Sequence, residues 1–162
     1  LKAQKFMLTQ AFMLSLPGLP GIYIHSILGT QNDLAAVEKS GIKRRINRSK
    51  TDYDKLLEDL SGKGSLRNLV FTEYKKLLQI RHSYDWFDPF LRFETKTVDN
   101  RVIVIRKERG KKRFRAIFNF SDKVCNFHLL QNKKVKDLMT GNVVHSNEII
   151  LEPYAYHWCE SV

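Results

Sequence analysis

The sequence predicts an α/β segment followed by an all-β antiparallel domain, and three observations carry that prediction. The spacing of apolar residues changes from helical to alternating near Asp85 to Pro89. The first 25 residues read as a helix, a Pro/Gly turn and a short apolar run, which is half of an α/β repeat. Residues 114–120 then alternate with a period of two, among several short runs separated by turn residues. With 162 residues, 43% hydrophobic and 11% aromatic, the chain can pack a core, and wholesale disorder is excluded.

The elements follow in order. Ala3 to Leu16 contains no Gly or Pro, and Phe6, Met7, Leu8, Ala11, Phe12, Met13 and Leu14 wrap most of a helical circumference. A helix apolar nearly all round needs neighbours on several sides. Leu16-Pro17-Gly18-Leu19-Pro20-Gly21 stops it. Ile22-Tyr23-Ile24-His25 then predicts a strand buried on both faces. Ile27 to Lys50 has no clear period and predicts a long loop, a length that is usually functional or disordered. Thr51 or Asp52 can cap a short helix packing through Tyr53, Leu56, Leu57 and Leu60, ended by Gly62 and Gly64. Ser65 caps the next, whose stripe of Leu66, Leu69, Val70, Tyr74, Leu77 and Leu78 is the cleanest helical signal in the chain.

Beyond Pro89 the signals are those of a small antiparallel sandwich. Phe114, Ala116, Phe118 and Phe120 fall on one face, with Arg113, Arg115 and Asn119 on the other. Val102 to Ile105, Val124 to Leu129 and Ile149 to Trp158 are further strands. Asp99-Asn100, Arg109-Gly110, Ser121-Asp122 and Thr140-Gly141-Asn142 are the turns between them.

Composition limits the function. No apolar run approaches the roughly 20 residues that span a bilayer, so no membrane segment is expected. Cys125 and Cys159 are too few and too far apart for a disulfide scaffold or a four-ligand zinc site, and read as reduced structural cysteines. No nucleophile elbow, P-loop or zinc-protease motif is present, and no cofactor or metal is expected. Leu1 is not a Met and no signal-peptide pattern follows it, so the chain reads as a piece of a longer, cytoplasmic protein.

Twenty-eight Lys and Arg against 17 Asp and Glu give a net charge of +11. Two clusters hold much of the excess. Lys43-Arg44-Arg45 with Arg48 and Lys50 lies in the long loop, where guanidinium groups can fork onto phosphate or sugar hydroxyls. Lys107, Arg109, Lys111, Lys112, Arg113 and Arg115 decorate a hairpin. Such a hairpin could track nucleic acid or another polyanion, which makes a non-catalytic binding module the alternative function. A solvated outer face is the preferred reading, and no nucleic acid is expected.

A family resemblance narrows the choice. Leu14-Ser15-Leu16-Pro17-Gly18-Leu19-Pro20-Gly21-Ile22-Tyr23-Ile24-His25-Ser26 resembles the last barrel strand of the α-amylase superfamily with its lead-in helix. Gly29-Thr30-Gln31-Asn32-Asp33 and Lys43-Arg44-Arg45-Ile46-Asn47-Arg48 are similar to segments of sucrose phosphorylases and related glycoside phosphorylases. Leu66 to Arg81 with His82-Ser83-Tyr84-Asp85-Trp86-Phe87 resembles the closing barrel helix and its exit. Asp137-Leu138-Met139-Thr140-Gly141, Ile149 to Tyr154 and Trp158 resemble the C-terminal β-domain.

The resemblance implies that residues 1–87 are the terminal helix-strand-helix part of a (β/α)8 TIM barrel and 88–162 a C-terminal β-domain. It implies a retaining transfer of a glucosyl unit from an α-glucoside to inorganic phosphate. The donor would be sucrose, a phosphorylated sucrose or a glucosylglycerate-like compound. The family's three catalytic carboxylates lie on earlier strands, upstream of Leu1, so this chain alone is expected to be inactive and to need the missing barrel portion. Otherwise it would expose apolar faces at Phe6, Phe12 and Ile22. By the same resemblance Arg44 reaches the acceptor subsite where phosphate binds, and Arg48 is a second candidate there. His25, directly after the apolar run, is a candidate ligand contact at the end of a barrel strand, the alternative being a structural histidine.

Overall fold

The computed structural model describes residues 1–128, 134–145 and 148–162. Two compact units divide the chain, one made of Leu1–Pro20 with Lys76–Val162 and the other of Gly21–Lys75.

In the first unit, helix α1 (Lys2–Ser15) buries Met7, Leu8, Ala11 and Leu14. Phe12 is half-buried, and its ring meets Phe118 and Phe120 edge-on at 5.3 and 5.8 Å. Phe6 and, in the second unit, Ile22 are also half-buried, while among the described residues the large apolar side chains left most exposed are Leu19 and Phe90. The end of α1 is closed by a distant side chain. Arg81 donates through Nη1 to the Leu14 carbonyl and, at 3.4 Å, to Leu16; its Nη2 donates to Gly18 at 2.7 Å. These are carbonyls that a helix end and the turn after it leave without partners.

The β-domain is a six-stranded antiparallel sheet in the order β1-β2-β3-β8-β5-β6, covered by a two-stranded pair, β4-β7. The strands are β1 (Phe93–Val98), β2 (Val102–Arg109), β3 (Lys112–Asn119), β4 (Cys125–His128), β5 (Val135–Asp137), β6 (Val143–Val144), β7 (Glu148–Leu151) and β8 (Tyr156–Ser161). Val102, Val104, Ile117, Val135 and Cys159 of the large sheet pack against Cys125, Phe127, Ile149 and Leu151 of the small one. That is the predicted sandwich. The opposite face of β3, with Phe114 and Phe118, packs against Trp86, Phe87 and Phe12. Period two therefore holds, but both faces of β3 are covered.

Several expectations change. The run Ile149 to Trp158 is two strands, because Tyr154 turns the chain at φ 58°. Strand β4 covers Cys125–His128, and Leu129 lies outside the described residues. Within the helical stripe, Leu69 is 51% exposed and Ile80 is buried instead.

The basic hairpin is not a solvated outer face. Lys107 is 1% exposed, its Nζ donating to the Trp86 carbonyl at 2.7 Å and lying 5.2 Å from the Phe87 ring centre. Arg109 pairs with Asp88 at 2.7 Å and Asp85 at 3.5 Å, Arg113 pairs with Glu108, and Arg115 is buried. Only Lys111 and Lys112 of the cluster are freely displayed.

Burial, reinforced by the nearby positive charge of Arg81, pulls the Lys107 ammonium down from 10.5 to about 8. Between those values the unfolded chain holds more protons than the folded one, so stability rises with pH there. The stability difference between wild type and Lys107→Met, measured by urea denaturation, is expected to move in favour of wild type from pH 8 to 10. For Arg81→Met, the same measurement is expected to show a loss of roughly 1.5–3 kcal/mol from the unpaired carbonyls.

Candidate functional site

The second unit is organised by short helices and their caps. Where a strand is expected over Ile22–His25, the chain instead forms helix α2 (Ile24–Ile27). Among the described residues this unit contains no strand to share a ladder, so the backbone satisfies itself locally: Ser26 and Ile27 N–H donate to the Tyr23 carbonyl at 2.9 and 3.2 Å. The expected long loop also contains structure. Asp33 caps helix α3 (Leu34–Ser40) by accepting from Ala36 N–H at 2.9 Å, and Gly41 ends it at φ 68°. A 3₁₀ turn, Lys43–Asn47, follows, and its Ile46 carbonyl accepts from Asp33 N–H at 2.7 Å. These seven- and five-residue helices are too short to print a period in the sequence.

Asp52, one of the two caps the sequence offers, caps helix α4 (Tyr53–Ser61), and Ser65 caps helix α5 (Leu66–Ser83) as the sequence predicts. Arg67, on the first turn of α5, ties this unit together. Its Nη1 donates to the Leu28 carbonyl at 3.0 Å and to Thr30 Oγ1 at 3.1 Å, while Nε pairs with Asp59 at 3.3 Å. His25 Nδ1 reaches the same Thr30 hydroxyl at 3.2 Å.

These ties leave a cleft of about 480 Å³ whose wall is the run Gly29 to Asp33, facing Ser49, Lys55, Asp59, Ser65, Leu66 and Arg67. Amides, hydroxyls, two carboxylates and two cations converge there. Such a mixture of donors and acceptors suits a polyhydroxylated ligand better than an apolar one. Among the described residues no group of acidic, His or Cys side chains could hold a metal ion.

The expected site residues are not gathered in the cleft. His25 reaches its edge through Thr30. Arg44 lies within the 3₁₀ turn and Arg48 caps its end; both are exposed and neither side chain has a partner among the described residues. The run Gly29 to Asp33 was legible as a motif. Lys55, Asp59 and Arg67 were not, since their only signal was their place on the polar side of two helices.

The chain shares its fold with part of several solved enzymes. The chain superposes on an α-amylase from Anoxybacillus with a TM-score of 0.72 at 16% identity, covering 98% of this chain and 32% of that one. It superposes on the isomaltulose synthase of Klebsiella sp. LX3 with a TM-score of 0.73 at 15% identity, covering 98% and 38%. Residues 101–157 match a family described as the β-galactosidase C-terminal domain. The glucosylglycerate phosphorylase of Escherichia coli K12 is 34% identical over 158 residues, 97% of this chain and 28% of the relative. That of Spirochaeta thermophila is 49% identical over 88 residues, 54% of this chain and 15% of the relative. These matches bear out the resemblance to the C-terminal part of a glycoside phosphorylase of the α-amylase superfamily. The chain spans between 15% and 28% of the length of the curated relatives it matches.

Gly29 holds the cleft's wall at φ 59°, and a Cβ there would lie 3.1 Å from Val70 Cβ and 3.3 Å from Arg67 Cα. Gly29→Ala is expected to cost roughly 1–2 kcal/mol from the left-handed backbone alone. Hydrogen exchange at the amides of residues 30–33 should show the corresponding loss of protection.

Proposed function

We propose that this chain is the C-terminal portion of a retaining α-glucoside phosphorylase, cytoplasmic, whose donor is a glucosylglycerate-type compound. The observation that carries the reading is 34% identity across 97% of the chain to a protein named glucosylglycerate phosphorylase. In this reading residues 1–87 complete a (β/α)8 barrel and 88–162 form its C-terminal β-domain. The remainder of the barrel supplies the carboxylates. One carboxylate displaces the aglycone oxygen from the anomeric carbon, and a second protonates that oxygen as it leaves. A phosphate oxygen then breaks the glucosyl–enzyme bond, giving glucose 1-phosphate with the original anomeric configuration.

Arg44, Arg48 and His25 are the residues this chain contributes to the site. A permanently charged fork suits a phosphate dianion, and the exposed, unpaired state of Arg44 and Arg48 leaves their donors available. A mobile arginine would let the acceptor position hold first the leaving group and then phosphate. The polyanion-binding alternative has less support, since four of the six hairpin cations are buried or paired with carboxylates.

Incubating the intact protein with phosphate and either glucosylglycerate or sucrose, and measuring glucose 1-phosphate, tests the donor; faster release from glucosylglycerate is expected. Arg44→Ala is expected to raise the Michaelis constant for phosphate roughly tenfold or more and to shift turnover towards hydrolysis. Unchanged phosphate kinetics in Arg44→Ala, with a large effect in Arg48→Ala, would reverse the two roles.

A further inference from the structure

The pairing of β2 with β3 sets Arg106 directly opposite Arg115. Cys159 of β8 and Asp137 of β5 continue the same cross-strand row. Like charges directly across a ladder destabilise a sheet. Here the cost is greater, because Arg115 is only 8% exposed and the Nε of Arg106 is out of contact with solvent and has no hydrogen-bond partner. Among the described residues neither guanidinium forms an ion pair or a hydrogen bond.

The nearby anions are engaged elsewhere or do not reach. Glu108 is held by Arg113 Nε at 3.1 Å. Asp137 accepts from Met139 N–H at 2.8 Å and meets His157 Nδ1 at 2.9 Å. Glu94, opposite Arg106 on β1, forms no ion pair with it. Cys159 is a buried thiol and carries no charge to offset the pair, since burial and Asp137 push its ionisation up to about 12. Burial, with Arg106 and Arg113 adding to it, likewise weakens the hold of Arg115 on its proton.

We propose that Arg106 and Arg115 form an oxyanion site on the β-domain, taking a phosphate group either free or carried on a sugar. Two guanidinium forks held side by side by a ladder offer planar pairs of donors to one tetrahedral anion. A bound dianion turns the repulsion between them into two attractive contacts. Of the hairpin's other cations, Lys107, Arg109 and Arg113 already have carbonyl or carboxylate partners, whereas the charge of Arg106 and Arg115 is not spent on the sheet.

Thermal unfolding of the intact protein in the Arg44→Ala background, with phosphate titrated against chloride at fixed ionic strength, tests this. Working in that background separates this site from the proposed acceptor subsite. Tm is expected to rise with phosphate, as for any ligand that binds only the folded state. Arg115→Met should abolish this rise while unfolding no lower than its parent without phosphate. Arg106→Met should weaken the apparent affinity roughly tenfold or more. If Arg115→Met does not fold, the half-buried Arg106 still carries the test. Glucose 1-phosphate in place of phosphate reports the source: an equal rise means the site admits a sugar phosphate, and a rise with inorganic phosphate alone restricts it to the free ion. No rise in the parent, or the same rise in the parent and both methionine variants, would overturn the proposal. Failure of the Arg44 reading would appear separately, as unaltered phosphate kinetics in Arg44→Ala.

Discussion

One side chain joins the helical start of the chain to the sheet that follows. Arg81 spends its donors on the carbonyls of Leu14, Leu16 and Gly18, and its guanidinium lies 5.5 Å from the centre of the Phe87 ring. The other cation at that ring is Lys107, 5.2 Å away. Phe87 also meets Trp158 at 4.7 Å and Phe114 at 5.5 Å, so the end of α5, β2, β3 and β8 converge on one aromatic side chain. Neither cation has a carboxylate partner among the described residues; carbonyl dipoles and ring faces take that place. Such a centre is specific because each cation requires its carbonyls to be where they are. An apolar replacement would pack but would not fix the end of α1.

The parts of this structure legible in the sequence are those whose signal is local. Asp52 and Ser65 cap helices because their side-chain oxygens reach backbone N–H groups three residues on. Asp99 and Asn100 turn the chain with φ near 50° at both positions, which these residue types tolerate. The alternation of Phe114, Ala116 and Phe118 marks a strand wherever it lies. What was not legible depends on partners distant in sequence. Ile22-Tyr23-Ile24-His25 has the composition of a buried strand, yet a strand also needs neighbours, and the local turn of α2 takes its backbone groups instead. Strand β1 escapes notice because it is an exposed edge with no apolar face. Lys107 looks like one more cation in a basic run, although its position on the pleat sends it inward.

The same division applies to the cleft. Gly29 to Asp33 stands out as a motif because it is continuous. Asp59 and Arg67 enter from two helices joined by a glycine-containing turn, and nothing in their spacing distinguishes them from ordinary helix-surface charges. Arg67 has its place only because Leu28 presents a carbonyl and Thr30 a hydroxyl to it. A site assembled by one arginine from three elements is invisible until those elements are folded.

The strand order has a consequence for how the β-domain comes into being. Strand β8, latest in the chain, lies in the interior of the large sheet between β3 and β5. During synthesis β1, β2 and β3 can form a meander as soon as they emerge, since their contacts are close in sequence. Strand β3 then waits with an open edge, and the aromatic centre lacks Trp158, until residues 156–161 leave the ribosome. Completion of the sheet is therefore a late, long-range event, and the nascent domain passes through a stage in which the edge of β3 is uncovered.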